Sequence, residues 1–261
     1  MIQPESVERV DEISIYYGYA KELDLAIIAF FWVIAIISFA IPYASGLNTK
    51  SQEEINVLYI VLVIVHFICT LILSVYLIPL AERKRRRQLL SNAIGTPLIQ
   101  EKTQLYYNNE FAPSITRLGA NVMENSLFSR EIATLMLIPT RWIVGVYMVV
   151  WLVLFASRQS NLDIMLWVTQ FVFSGAVILR WIQLEFLRFR HDQIYENLYS
   201  HFLGGQKNTP KSVATILDAF ASYEAAKASA GLVLSTKVFN KINQQLTQKW
   251  ENIRSELKMY D

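Results

Sequence analysis

The sequence predicts an all-α polytopic membrane protein, with four transmembrane helices in two hairpins and helical segments on the cytoplasmic side. Three observations predict it. The chain is 53% hydrophobic and only 18% charged, whereas a soluble domain carries about a quarter charged residues. Its apolar residues are gathered into runs long enough to cross a bilayer. Its basic residues cluster beside two of those runs, at Arg83, Lys84, Arg85, Arg86 and Arg87 and again at Arg188 and Arg190. The expected organisation is an N-terminal interfacial helix (residues 1–24), a first transmembrane hairpin (25–80), a cytoplasmic helical segment (81–134), a second hairpin (135–186) and a C-terminal cytoplasmic helical domain (187–261).

Residues 5–23 read as a short interfacial helix. Val7, Val10, Ile13 and Tyr17 recur at helical spacing, and Tyr16, Tyr17 and Tyr19 suit the headgroup region. This stretch is acidic and has neither a basic n-region nor a small-residue cleavage site, so the first apolar run is expected to be a retained span. That span is residues 25–43, about 19 residues, enough at 1.5 Å each for a hydrocarbon core of about 30 Å. Pro42 and Gly46 end it. A short polar connection leads to the second span, residues 57–80, which is expected to stop at Pro79 and the basic cluster. The third span begins near Leu135, or after a break at Pro139, and ends at Phe155. The fourth covers residues 162–186.

Basic residues near span ends set orientation. The clusters after spans two and four outweigh Lys50 and Arg158 on the opposite connections, which places both termini and the central segment in the cytoplasm. The lipid bilayer is the first expected partner.

The tail continues span four as a rigid helix to Phe202, and Gly204-Gly205 stops it. Thr209 and Pro210 read as N-cap and first helical residue. A break is expected within residues 231–235. Phe239, Ile242, Leu246, Trp250, Ile253 and Leu257 then form one apolar stripe, to be buried on a neighbouring tail helix, on the central segment or on a partner subunit.

No catalytic template fits, so a non-enzymatic protein without cofactor is expected. Gly204-Gly205 lacks the following Lys-Ser or Lys-Thr of a phosphate loop, and no Gly-x-Ser-x-Gly elbow occurs. His66, His191 and His201 are too dispersed for a metal site, and His191 and His201, with Asp192 and Glu196 nearby, read as a solvated helix face. The lone Cys69 excludes an intramolecular disulfide. Direct nucleic-acid binding is not expected.

Polar groups inside spans are costly and are functional candidates by default. His66, Thr70 and Ser74 share one helical face at four-residue steps, and Gln170 lies four before Ser174. Each set is either helix–helix glue or the lining of a water-filled path, and a path would require a homo-oligomer, since four spans enclose no wide pore. Arg141 and Arg180 read as interfacial anchors, with Glu185 a partner within reach of Arg180. The basic cluster serves topology, anionic-lipid contact or phosphate binding.

The central segment carries a resemblance. Arg85-Arg86-Arg87, Asn92 to Thr96, Tyr106-Tyr107-Asn108-Asn109-Glu110, Leu118, Asn121, Glu124-Asn125 and Phe128, with the two-plus-two span layout, resemble bacterial four-transmembrane antiphage-defence effectors of the SMODS-associated type. The resemblance implies a bacterial inner-membrane location and membrane disruption after infection is sensed. A defence-system partner protein or a nucleotide signal is the implied trigger at the cytoplasmic side, although the chain has no recognisable cyclic-nucleotide-binding domain.

From the residues themselves, Arg85, Arg86, Tyr106, Tyr107, Asn108, Asn109, Arg117, Asn121 and Asn125 form a candidate ligand or partner site. The amides donate and accept, the tyrosines offer stacking faces, and Arg117, on one face with Asn121 and Asn125, offers a phosphate contact. The same amides would alternatively cap helices and tie the segment to the tail. The expected function is an oligomeric membrane effector that perturbs or permeabilises the bilayer. The alternative is an anchor recruiting a soluble enzyme through its cytoplasmic helices.

Overall fold

A computed structural model describes residues 10–41, 49–104, 106–108, 111–156, 177–205 and 209–259. Among these the chain is all-helical apart from one antiparallel two-residue pairing, β1 (Val10–Asp11) with β2 (Thr103–Gln104). The helices are α1 (Ser14–Ala40), α2 (Thr49–Ile94), α3 (Ile115–Ala156), α4 (Ile178–Leu203), α5 (Pro210–Ala230) and α6 (Thr236–Glu256). Two helices, α2 and the Ile115–Val153 part of α3, are long and apolar enough to cross a membrane. Residues 42–48 and residues 157–176, which include most of the fourth apolar run, lie outside the described residues.

The helices are longer than the sequence suggests. Helix α1 runs from Ser14 straight into the first apolar run. Ala20, Lys21, Glu22 and Leu23 are all good helix formers, so nothing separates an interfacial helix from a span. Helix α2 does not stop at Pro79. Residues Ile72–Leu77 form a π-helical turn just ahead of the proline, and widening the helix there accommodates the missing N–H and the bulk of the ring. Helix α3 likewise passes through Pro139 without ending. The two ends of the central segment are thus continuations of the helices that carry the apolar runs, α2 and α3.

The helices divide into uncovered apolar arms and a packed body. Along the arms Val75 is 71% exposed and Trp142 73%. In the body, Leu89 and Ala93 of α2, Leu118, Met123 and Leu127 of α3, Leu198 of α4, Ile216 of α5 and Trp250 of α6 share one buried core. Gly119 marks the closest crossing, where a Cβ would sit 3.0 Å from Ile216 and 3.2 Å from Phe202. Gly95 ends α2 in the left-handed conformation (φ 74°), which glycine adopts at little cost. The Thr209 hydroxyl accepts the Ser212 N–H at the start of α5, and Ser235 caps α6 after the break opened by Gly231. The stripe on α6 is buried through Leu246, Trp250 and Ile253.

Ion pairs fix the roots of the arms. Arg180 grips Asp24 of α1 through two bonds of 3.1 and 3.0 Å, and Arg141 grips Glu185 of α4 through two of 2.6 and 2.9 Å. The expected Arg180–Glu185 pair does not form, because residues five apart point to different sides of a helix.

Candidate functional site

Among the described residues, the polar stripe of α2 does not bridge helices. Thr70 donates its hydroxyl to the His66 carbonyl at 2.8 Å and Ser74 donates to Thr70 at 2.8 Å, both within the same helix. His66 stands half-buried on that stripe, and no hydrogen bond joins its side chain to another described residue. Gln170 and Ser174 lie outside the described residues, as does Asn109.

The predicted central-segment residues separate into two roles. Several are structural ties. Tyr107 donates to Gln88 at 3.2 Å, and buried Asn121 donates to Asn92 at 2.9 Å. Asn108 gives its side-chain amide to Glu124 at 2.6 Å, and its carbonyl accepts the Trp250 indole N–H at 3.0 Å, which ties the segment to α6. Burial pushes the Glu124 carboxyl up to about 7, against the Asn108 bonds and the Arg254 charge that favour ionisation. Arg117 stands in the first turn of α3, where its backbone N–H donates to the Ser114 hydroxyl at 3.1 Å. The basic cluster also divides. Arg83 and Arg87 are exposed, Lys84 pairs with Glu101, and Arg86 lies 4.0 Å from Glu224. Arg85 is buried.

The other role belongs to a cavity of about 450 Å³ at the roots of the arms, where Arg85, Tyr106 and Asn125 meet residues that sequence reasoning passed over. Arg85 holds Asp11 through two bonds of 3.1 and 2.8 Å and lies 4.2 Å from the Tyr106 ring centre. Across the space, the Lys227 ammonium sits 2.5 Å from Glu82, 3.1 Å from Glu224 and 4.7 Å from the Tyr223 ring centre. Burial works to lower the Lys227 pKa, but Glu82 with the neighbouring phenols and Glu224 outweighs it and holds the ammonium firmly charged. Apolar walls come from Phe128, Ile132, Leu187, Val233 and Phe239.

The floor is His191. Its ring is fully buried, 5.3 Å from that of Tyr223, and neither nitrogen has a hydrogen-bond partner among the described residues. Burial, with Lys227 adding to it, drops its pKa to about 3, so the imidazole is neutral. This corrects the solvated-face reading. Asp192 turns outward to Arg130 at 2.7 Å, while Leu184, Leu187, His191, Ile194 and Leu198 form the buried face of α4. That three- and four-residue spacing was the available signal. Lys227 had the same signal, one turn beyond Tyr223 on α5.

No family model, curated protein or solved structure matches the chain.

Proposed function

We propose that the chain is a non-enzymatic membrane effector. Its four spans lie in a bacterial inner membrane, its body and termini lie in the cytoplasm, and copies assemble to permeabilise the bilayer when the body is engaged. The observation that carries this reading is the continuity of α2 and α3, each of which takes an uncovered apolar arm into the buried body core without a loop. A shift in the body therefore reorients the arms directly, provided the trigger binds the two arrangements with different affinity. His66, midway along an arm, supports assembly, because an imidazole in hydrocarbon favours a polar partner from a second copy. The placement in antiphage defence, with a partner protein or nucleotide as trigger, rests on the resemblance of the central segment.

Dye release from liposomes carrying the purified chain tests the reading. Release that is lost in His66→Leu supports it. One observation favours the anchor alternative: Thr70 and Ser74 already satisfy their hydroxyls within α2, which leaves the stripe poorer in free polar groups. An anchor would keep liposomes tight under every addition while the body still captured a soluble partner.

A further inference from the structure

We propose that the cavity at the roots of the arms is a binding site for an uncharged, ring-bearing small molecule whose carbonyl or hydroxyl group pairs with His191. The volume of about 450 Å³ falls in the range of small-molecule sites, which are mostly apolar with a few placed polar groups. Apolar atoms form most of its wall. His191 is the one wholly buried polar side chain that faces it without a partner among the described residues. A buried, unpaired polar group is costly, and a ligand that supplies the missing hydrogen bond recovers that cost on binding. Neutral imidazole offers one N–H donor and one lone pair, which match a ketone, a hydroxyl or an amide.

The charges around the cavity argue against an anionic ligand. Of the basic residues that line it, Lys21, Arg85 and Lys227, two are already paired at 3.1 Å or less, Arg85 with Asp11 and Lys227 with Glu82 and Glu224. A phosphate would have to break those pairs inside a partly buried space, where an orphaned carboxylate is expensive. An uncharged ring asks for no such exchange and stacks on Tyr17, Tyr106 or Phe239. The wall draws on α1, α2, α3, α4, α5 and the α5–α6 connection, so an occupant would bridge the arms to the body. The same chemistry has two sources, the bilayer and the aqueous phase. The inference stands apart from the effector reading, since its test reads occupancy and not permeability.

The test uses the full chain in lipid nanodiscs and benzophenone, an uncharged diaryl ketone that cross-links to nearby C–H bonds under light. The glycerol ether of 4-hydroxybenzophenone, which stays in water, forms the second arm. The expected result is saturable labelling of peptides containing residues 125–132 or 232–239 by at least one probe. The arm that labels identifies the source. His191→Leu should weaken half-saturation about tenfold, corresponding to about 1.4 kcal/mol, whereas His191→Gln, which keeps a donor and an acceptor, should retain binding. Ser129→Phe, which fills the space from α3, should abolish labelling independently of His191. Labelling confined to the arms, or cavity labelling unchanged in both His191→Leu and Ser129→Phe, overturns the proposal.

Discussion

The body and the arms satisfy polar groups in opposite ways. In the body, buried polar side chains reach across the fold: Gln88 to Tyr107, Asn121 to Asn92, Glu124 to Asn108, and Trp250 to the Asn108 carbonyl. In the arms the hydroxyls turn back on their own helix, Thr70 to His66, Ser74 to Thr70, Thr134 to Arg130 and Thr140 to Met136. A body in water would be free to form long-range ties, because its alternatives are solvated until folding is complete, and a helix facing hydrocarbon would have to satisfy itself first. The ion pairs Arg141–Glu185 and Arg180–Asp24 stand at the border between the two regimes.

The largest expected contrast comes from two tryptophans. Trp250→Ala empties the centre of the body core and should cost ~3–5 kcal/mol of body stability. Trp142→Ala, on an exposed arm surface, should change it by no more than ~0.5 kcal/mol. Chemical denaturation of the two variants checks this, and equal losses would erase the distinction between arm and body.

Glu124 comes next. Its folded carboxyl titrates near 7 against an ordinary value of 4.5, so its contribution is complete below pH 4.5 and lost as pH rises through 7. The loss amounts to ~3 kcal/mol by pH 8. Glu124→Gln, which still accepts from Asn108, should remove that alkaline slope in pH-dependent unfolding.

His191 has the opposite sign. Its folded pKa near 3 lies below the ordinary 6.5, so its contribution is complete above pH 6.5 and lost on acidification, by ~2 kcal/mol at pH 5. His191→Leu should flatten that acid limb. The smallest effect is expected from Ser74→Ala. Its hydroxyl serves only its own helix among the described residues, and unfolding should shift by no more than ~0.5 kcal/mol.

What the sequence made legible was what local chemistry decides. The apolar runs of α2 and α3 needed no knowledge of neighbours. The Thr209-Pro210 start and the break before Ser235 followed from capping rules. What it hid was what distant residues decide. Passage of α2 through Pro79 depends on a π-helical turn that no residue type announces. Arg180 took its partner from α1, 156 positions away, and not from its own helix. Arg85 was read with its basic neighbours, yet Asp11, 74 positions earlier, draws it inward. His191 was masked by Asp192 and Glu196, whose charges suggested water although its own register lay on the buried face.

In the proposed arrangement the arms lie in lipid and the body in water, and Cys69, the sole cysteine, stands within the α2 arm. A nitroxide attached there in nanodisc-reconstituted protein should relax strongly with dissolved oxygen and hardly at all with a water-soluble nickel chelate. A nitroxide on Lys249→Cys in a Cys69→Ser background should show the reverse. Equal access of the nickel chelate to both positions would contradict the division of the molecule into lipid-facing arms and a water-facing body.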